Sequence, residues 1–381
     1  MKAILIFCSL YSLLFTQEEC DGSRYQQEIF SNVNVTSGIY YGTNMNQGIF
    51  GNEVEQDLYL DVYEPAGDSV EDRPLIILLF GGSFIGGSRT SSNMVSLCTA
   101  YAKMGYVAAA IDYRLTTELI FLANETTAYI AATKAIHDLK GAIRFFRMND
   151  ELYNDYRIDE SRIYAGGVSA GAIGAVNAAY LNEDSEIPSM IQDFIDNSGG
   201  LEGISGNSGY DSSFHGIINL CGGVGQTDWI IEGDIPVVSV HGTEDDIVPY
   251  GDGLITLFGL NMEIAGSGSI HDRMIELDNM SELLTWVGID HTPFTSSAAY
   301  MNETIEFITP FIHNLACVSS SMLGDANGDG TLNILDVILL VNIILGGNPS
   351  NEEIEISDIN YDGQLNVLDI ISLVNFILDQ E

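Results

Sequence analysis

A serine stands between two glycines at the point where an apolar run meets a stretch of small residues. Residues 167–171 read Gly-Val-Ser-Ala-Gly, follow the apolar run 162–166 and precede the small-residue stretch 172–180. A turn from a strand into a helix imposes tight backbone angles, so only small residues fit two positions before and after the serine. The helix that begins there also stabilises negative charge. The pattern predicts Ser169 as a nucleophile, with an ordinary serine in a tight turn as the alternative.

Short apolar runs alternate with longer amphipathic stretches between residues 58 and 311. The first run, 58–63, alternates in the manner of a half-exposed edge strand, and residues 128–148 have helical spacing. The later runs are continuous and read as central strands buried on both faces. They comprise residues 75–80, 106–111, 162–166, 216–220, 237–241 and 283–287. This alternation predicts an α/β fold with a doubly wound, mostly parallel sheet.

A serine nucleophile needs an acid and a base, which are expected to follow it in the chain in that order. Asp245 lies in the loop after the run 237–241 and is the predicted acid. Glu244 and Asp246 are rivals, and a solvated acidic turn is the alternative interpretation of all three carboxylates.

The base is expected at the carboxyl end of a strand, where functional groups gather in an open α/β sheet. His291 follows the run 283–287 in such a loop, whereas His271 lies in a polar stretch before a helix and His313 in an apolar one. His291 is therefore the predicted base, and His271 is the next candidate.

A glycine-rich loop follows the run 75–80 and reads Gly81-Gly82-Ser83-Phe84. Glycines allow the backbone to approach a substrate oxygen closely. The loop is thus predicted to supply backbone N–H groups that stabilise an oxyanion in the transition state.

Six short motifs occur in the order typical of one enzyme family. They are DVYEP (61–65), FGGSF (80–84), DYRL (112–115), GGVSAG (166–171), HGTEDDIVPY (241–250) and DHTPF (290–294). With them, residues 58–311 resemble the α/β-hydrolase carboxylesterases that have an HGGG-type oxyanion loop. Secreted feruloyl and acetyl-xylan esterases are similar, which makes acetyl or feruloyl esters of polysaccharides the expected substrates.

The resemblance implies a role for each matching position. The implied residues are Ser169 as nucleophile, Asp245 as acid, His291 as base, and Gly82, Ser83 and Ala170 as backbone donors to the oxyanion. No catalytic cofactor is implied. Two positions depart from the family pattern, because Phe80 replaces the usual histidine and Ser83 the third glycine.

The C-terminal segment contains an internal duplication. Residues 325–345 align without gaps on residues 358–378, with 14 of 21 positions identical. Each copy carries side-chain oxygen ligands at calcium-loop positions 1, 3, 5, 9 and 12, glycine at position 6, and a residue at position 7 whose backbone carbonyl binds. The predicted ligands are Asp325, Asn327, Asp329, Thr331, Asn333 and Asp336 in the first loop, and Asp358, Asn360, Asp362, Gln364, Asn366 and Asp369 in the second. Two Ca²⁺ ions are therefore expected.

Each calcium loop is followed by one helix and ends in Asp, where an EF-hand has two helices and ends in Glu. Two such units, within residues 322–381, resemble a type I dockerin, a small all-α calcium-binding domain. The resemblance implies a cohesin-type partner protein. It places the recognition pairs at Ile334-Leu335 and Val367-Leu368.

The N-terminus has the order of a secretory signal. Met1-Lys2 is followed by the apolar run 3–15 and by polar residues. We predict a signal peptide over 1–17 and a hydrolase domain over 18–318. The protein is then expected to be secreted or extracellular, and a cohesin on a cell surface would attach it there. A buried first helix or strand is the alternative, and no other run is long enough for a membrane span.

The net charge and the cysteine content limit which partners and which disulfides the protein can have. The chain has 13 Lys and Arg against 54 Asp and Glu, a formal net charge of −41, which excludes nucleic acid and anionic membrane surfaces as main partners. After signal removal four cysteines remain, consistent with one or two disulfides in any of three pairings, or with four buried thiols. A secreted serine carboxylester hydrolase is the leading hypothesis. A catalytically inactive binding protein and a peptidase of the same fold are the alternatives.

Overall fold

The computed structural model describes most of the chain. The described residues are 20, 23–47, 52–116, 124–255, 262–317, 324, 326, 332–347, 349, 356–359 and 364–379. The chain divides into two compact units after His313. The predicted signal peptide, 1–17, lies outside the described residues. Within the described part, no helix has the length and apolarity needed to cross a bilayer.

The described strands form two sheets. They are β1 (Val33–Gln47), β2 (Glu53–Pro65), β3 (Arg73–Leu79), β4 (Val107–Ile111), β5 (Ile158–Val168), β6 (Ile217–Leu220), β7 (Gly223–Val224), β8 (Val237–Gly242), β9 (Asp252–Ile255), β10 (Met262–Gly266) and β11 (Ser281–Trp286). The larger sheet has the order β1-β2-β4-β3-β5-β6-β8-β11. Neighbours from β4 to β11 pair in parallel, whereas β2 is antiparallel to both β1 and β4. The predicted mostly parallel sheet is confirmed.

The centre of the larger sheet is fully covered. Every residue of β3 and β4 is buried, as expected for strands packed on both faces. Strand β2, which contains residues 58–63, pairs with β1 on one side and β4 on the other. It is not at the edge of the sheet, so the prediction of an edge strand at 58–63 is wrong. The edge is β1, which pairs with β2 from Val33–Pro65 to Gln47–Glu53 through two register shifts. Strand β1 is largely polar and its pairing is irregular, so its sequence has no regular period from which the strand could be predicted.

Among the described residues, helices alternate with these strands, and two more helices belong to the second unit. They are α1 (Ser92–Met104), α2 (Glu125–Leu152), α3 (Ala170–Tyr180), α4 (Gln192–Asn197), α5 (Ser267–Glu276), α6 (Ala298–Cys317), α7 (Ile334–Ile344) and α8 (Val367–Asp379). Helix α1 contacts β3 and β4, α3 contacts β5 and β6, and α5 contacts β8 and β11. Helix α2 contains the predicted segment 128–148 and begins with a capping box between Asn124 and Thr127.

The second unit is built around equivalent positions of the two repeats. Leu340 of α7 and Leu373 of α8 lie 33 residues apart, are both fully buried, and pack in one apolar cluster with Leu332 and Val337. The duplication therefore supplies both halves of one small core.

Two cysteines are oxidised and two are not. Cys20 and Cys317 are disulfide-bonded, whereas Cys98 and Cys221 are buried free thiols. The alternative of four free thiols is therefore wrong.

Candidate active site

Ser169 occupies a strained turn between β5 and α3. Its backbone angles are φ 53° and ψ −116°, in a region that L residues rarely adopt. The turn is held by close backbone approach, because a Cβ on Gly171 would lie 2.3 Å from the Leu79 oxygen and one on Gly167 would lie 2.5 Å from Gly171. Only glycine fits at these two positions. Ser169 is thus held at the carboxyl end of β5, at the N-terminus of α3.

The structure brings Ser169, His291 and Asp245 into one hydrogen-bonded line. Nε2 of His291 lies 2.8 Å from Oγ of Ser169, and Nδ1 lies 2.5 Å from Oδ2 of Asp245. A carboxylate only accepts, so Nδ1 carries a hydrogen and Nε2 of the neutral ring is free to accept the serine proton. The loops after β8 and β11 supply Asp245 and His291.

Asp245 is held as a carboxylate by several donors. Its Oδ1 accepts hydrogen bonds from the backbone N–H groups of Ile247 (2.9 Å) and Val248 (2.8 Å). Burial acts to raise the pKa of Asp245, but hydrogen bonds from His241 and His291 outweigh it and hold the pKa well below its usual range. The side chain is therefore an anion beside the His291 ring.

The competing candidates lie elsewhere. Glu244 and Asp246 flank the acid but are exposed to solvent. Nδ1 of His271 lies 2.9 Å from the Ser281 hydroxyl, in contact with β11 rather than with the serine.

The predicted oxyanion loop, residues 80–87, lies against Ser169, the predicted nucleophile. A Cβ on Gly81 would lie 3.3 Å from Cβ of Ser169, and Gly82 has a φ of 135°. In the described part of the chain, no hydrogen bond is donated by the N–H of Gly82 or Ser83. Ala170 is the first residue of α3, so its N–H has no acceptor within the helix. These three groups are thus available to a ligand.

Tyr113 supports this loop through Phe80, the residue that replaces the histidine of the family pattern. Its hydroxyl donates a 2.8 Å hydrogen bond to the carbonyl oxygen of Phe80, and the two rings stack with centroids 4.4 Å apart. Burial raises the pKa of Tyr113, so the hydroxyl keeps its proton and donates. Sequence reasoning missed this role, although Tyr113 belongs to the DYRL motif.

A pocket opens above Ser169. Besides the oxyanion loop and His291, its wall includes Ser91 and Asn93 at the start of α1 and Thr292 and Thr295 beside the histidine. These four side chains are neutral hydrogen-bonding groups, and Val168 and Ile247 add apolar surface, so the wall suits an uncharged ligand with both polar and apolar parts.

The calcium loops are described in part. Asp325, Asn327, Asp329, Thr331, Asn360 and Asp362 lie outside the described residues. Of the described ligands, Asp336 and Asp369 are fully buried. Oδ2 of Asp336 accepts the N–H of Asn333 (2.8 Å), and Oδ2 of Asp369 accepts that of Asn366 (2.9 Å). The two repeats therefore end in the same local structure.

The donor set of these loops fits a hard cation. Asn333, Asp336, Asp358, Gln364, Asn366 and Asp369 offer only carboxylate or amide oxygens as metal-binding atoms. A fully buried carboxylate such as Asp336 or Asp369 is costly unless it is compensated by positive charge or donors. Ca²⁺ would be held by these residues and would supply that charge.

Two family models match this chain. Residues 60–205, which contain Ser169 and the oxyanion loop, match the BD-FAE model, and residues 323–378 match the Dockerin type I domain. The chain joins an esterase-type α/β-hydrolase domain to a dockerin type I domain. Dockerin type I domains in general bind calcium, pair with cohesins and occur in secreted proteins.

Solved structures similar to the hydrolase domain include esterase 2 of Thermogutta terrifontis. The form phosphoramylated by tabun has a TM-score of 0.52 at 21% identity, with 72% of this chain and 96% of that chain covered. The form phosphorylated by paraoxon has a TM-score of 0.51 at 22% identity, with 72% and 95% covered. These likenesses confirm the α/β-hydrolase fold. No curated protein matches the chain significantly.

The Tyr113 contact predicts a specific effect of losing one hydroxyl. Tyr113→Phe keeps the ring stacking but frees the Phe80 carbonyl, so the oxyanion loop is held less firmly. We expect kcat for an activated ester to fall by about tenfold with little change in KM, because one hydrogen bond that positions the transition-state donors is lost.

Tyr101→Phe is the matched control for this prediction. Tyr101 is also fully buried, and its hydroxyl has no hydrogen-bond partner in the described structure. Equal kcat for wild type and Tyr113→Phe would contradict the supporting role of Tyr113.

Proposed function

We propose that this protein is a serine carboxylester hydrolase that acts through an acyl-enzyme. The observation that carries the proposal is the hydrogen-bonded line from Ser169 through His291 to Asp245, at a strained turn beside free backbone donors. A histidine within 2.8 Å of a serine hydroxyl, oriented by a buried carboxylate, is the arrangement that activates a serine.

Each residue has a defined part in this mechanism. Oγ of Ser169 attacks the ester carbonyl as Nε2 of His291 takes its proton, and Asp245 stabilises the imidazolium. The N–H groups of Gly82, Ser83 and Ala170 receive the oxyanion. His291 then returns the proton to the departing alcohol. A water molecule, deprotonated by the same nitrogen, then attacks the acyl-enzyme carbonyl. The bond from that carbonyl to Oγ breaks, His291 returns the proton to Oγ, and the carboxylic acid leaves with Ser169 regenerated.

Acetyl or feruloyl esters of polysaccharides are the proposed substrates. The match to the BD-FAE family supports this class. The pocket wall supports it too, because Asn93, Thr292 and Thr295 present amide and hydroxyl groups without charge. Such groups suit the hydroxyls of a sugar.

We infer that the C-terminal domain attaches the enzyme to a cohesin and that the protein is secreted. The apolar pairs after loop position 9 are solvent-exposed, at 64% for Ile334, 55% for Leu335, 59% for Val367 and 52% for Leu368. Large apolar side chains exposed at the start of both helices suit a protein interface. Two Ca²⁺ ions, one in each loop, would hold these helix ends in place.

The proposed nucleophile is tested by Ser169→Ala. Without Oγ there is no acyl-enzyme, and we expect kcat for a short-chain nitrophenyl ester to fall by about 10⁴-fold or more. Ser161→Ala, at an exposed serine of the same strand β5, is the matched control and should keep full activity.

Three outcomes are distinguishable in this assay. Undiminished turnover by Ser169→Ala would refute the nucleophile, and an inert wild type would favour the inactive binding protein. Faster cleavage of peptide amides than of esters with the same acyl group would favour the peptidase.

Calcium is predicted to control the fold of the second unit alone. Without metal, repulsion between the converging carboxylates opposes loop closure in a segment too small for a large core. On the full chain in excess chelator, we expect scanning calorimetry to lose a transition that calcium restores, while ester hydrolysis persists. Cohesin binding should be lost as well, and Asp325→Ala with Asp358→Ala should mimic the chelator.

Magnesium at the same concentration serves as the control, since its smaller, octahedral shell fits these loops poorly. A calorimetric profile unchanged by chelator would show that calcium does not fold the domain. Loss of hydrolysis together with the transition would show that the two units are not independent.

A further inference from the structure

A second histidine, besides His291, contacts the predicted acid. Nε2 of His241 lies 3.1 Å from Oδ2 of Asp245 and 3.0 Å from the carbonyl oxygen of Val248. Both neighbours only accept hydrogen bonds, so Nε2 carries a hydrogen whether the ring is neutral or charged. His241 is completely buried, at 0% exposure. Its single Nε2 hydrogen is therefore shared between the Val248 carbonyl and the same Asp245 oxygen that accepts from Nδ1 of His291.

The other nitrogen of His241 is anchored by a buried polar chain. Nδ1 lies 2.7 Å from Oγ of Ser267, at the start of α5. That hydroxyl accepts a 3.0 Å hydrogen bond from Nδ2 of Asn219, in β6. Ser267 and Asn219 are also fully buried. The His241 ring is therefore held at both ends, by α5 and by the loop that carries the acid.

We propose that His241 is a positioning residue that fixes the Asp245 carboxylate in the plane needed by His291. The Asp245 side chain accepts hydrogen bonds from the N–H groups of Ile247 and Val248 and from Nδ1 of His291. Nε2 of His241 lies 3.1 Å from its Oδ2. The backbone donors fix Oδ1, and within the described residues His241 is the donor besides His291 that contacts Oδ2. This inference rests on the triad proposed above and adds a residue that acts through it.

The position of His241 also affects the basicity of His291. A donor on Oδ2 withdraws negative charge from the contact with Nδ1 of His291. Loss of that donor leaves a more negative oxygen, which stabilises the imidazolium form of His291 relative to its neutral form. Activity requires neutral His291, so the acid limb of kcat/KM moves to higher pH. The sign is the same if His241 is itself charged, because the variant then also removes a positive charge.

The other groups around these rings stay unchanged in this comparison. Ser169 faces Nε2 of His291, and the Cys221 sulfur lies within 4.8 Å of ligand atoms of both Asp245 and His291. Burial raises the pKa of Cys221 to about 12, so its thiol is neutral. The Asp246 and Asp290 carboxylates also lie within 4.8 Å of Asp245. The edge of the His241 ring faces Tyr250.

Two amide substitutions separate the nitrogens of His241. The amide of His241→Gln reaches the place of Nε2 and keeps a donor for Asp245, whereas the shorter amide of His241→Asn reaches only the place of Nδ1 and Ser267. We expect His241→Asn to lower kcat about tenfold with KM nearly unchanged, and to shift the acid limb up by about half a pH unit. His241→Gln should restore most of kcat and the original limb.

The experiment measures kcat/KM for a nitrophenyl ester against pH in the full chain with calcium. Burst titration with the same ester counts reactive sites, so that misfolded protein does not enter kcat. His137→Gln, at another fully buried histidine that contacts Gly200 instead, is the control and should leave the pH profile unchanged.

The outcomes separate this inference from the proposed function. The inference is wrong if His241→Asn and His241→Gln have the same kcat per reactive site and the same acid limb of kcat/KM. His241 then has only a structural role. If Ser169→Ala retains activity, the proposed triad fails first. If His241→Asn yields no reactive sites, the test depends on His241→Gln alone. A wild-type kcat and acid limb in His241→Gln then support the inference, whereas a lowered kcat and an acid limb at higher pH overturn it.

Discussion

The hydrolase site depends on the close approach of backbone at the turn between β5 and α3. With Gly167 and Gly171 lacking side chains, α3 begins against the end of β3, and Ser169 takes a φ of 53°. This contact places the serine beside the oxyanion loop, which leaves the same end of β3, and at the N-terminus of α3. The strain at Ser169 is balanced by the packing of this turn against the end of the fully buried strand β3.

A buried carboxylate is the second constraint on this site. Asp245 is removed from water, and its charge is compensated by backbone N–H groups and by two histidines rather than by a cation. The acid is thus part of a polar network that extends through His241 and Ser267 to β6 and α5. Such networks are stable only when each member is satisfied. The site is therefore supported by the sheet itself as well as by its loops.

The parallel strands and the principal candidate residues were predictable from sequence, because apolar runs and loop positions at strand ends are local signals. Strand β1 was not, since its polar sequence and bulges carry no period. The sheet of β7, β9 and β10 was missed because its strands are only 2, 4 and 5 residues long, too short to show a period. The roles of Tyr113 and His241 depend on contacts across the fold, with Phe80 and Asp245 respectively, and no spacing rule encodes them.

The covalent intermediate is the most direct test of the account. Rapid acid quenching during turnover of an acetyl ester, followed by peptide mapping by mass spectrometry, locates any acyl group on the chain. The account predicts one acetyl group per active site, on the peptide that contains Ser169 and on its side-chain oxygen. An acyl group on a different residue, or acetyl release at full rate with a quenched enzyme that carries none, would contradict it.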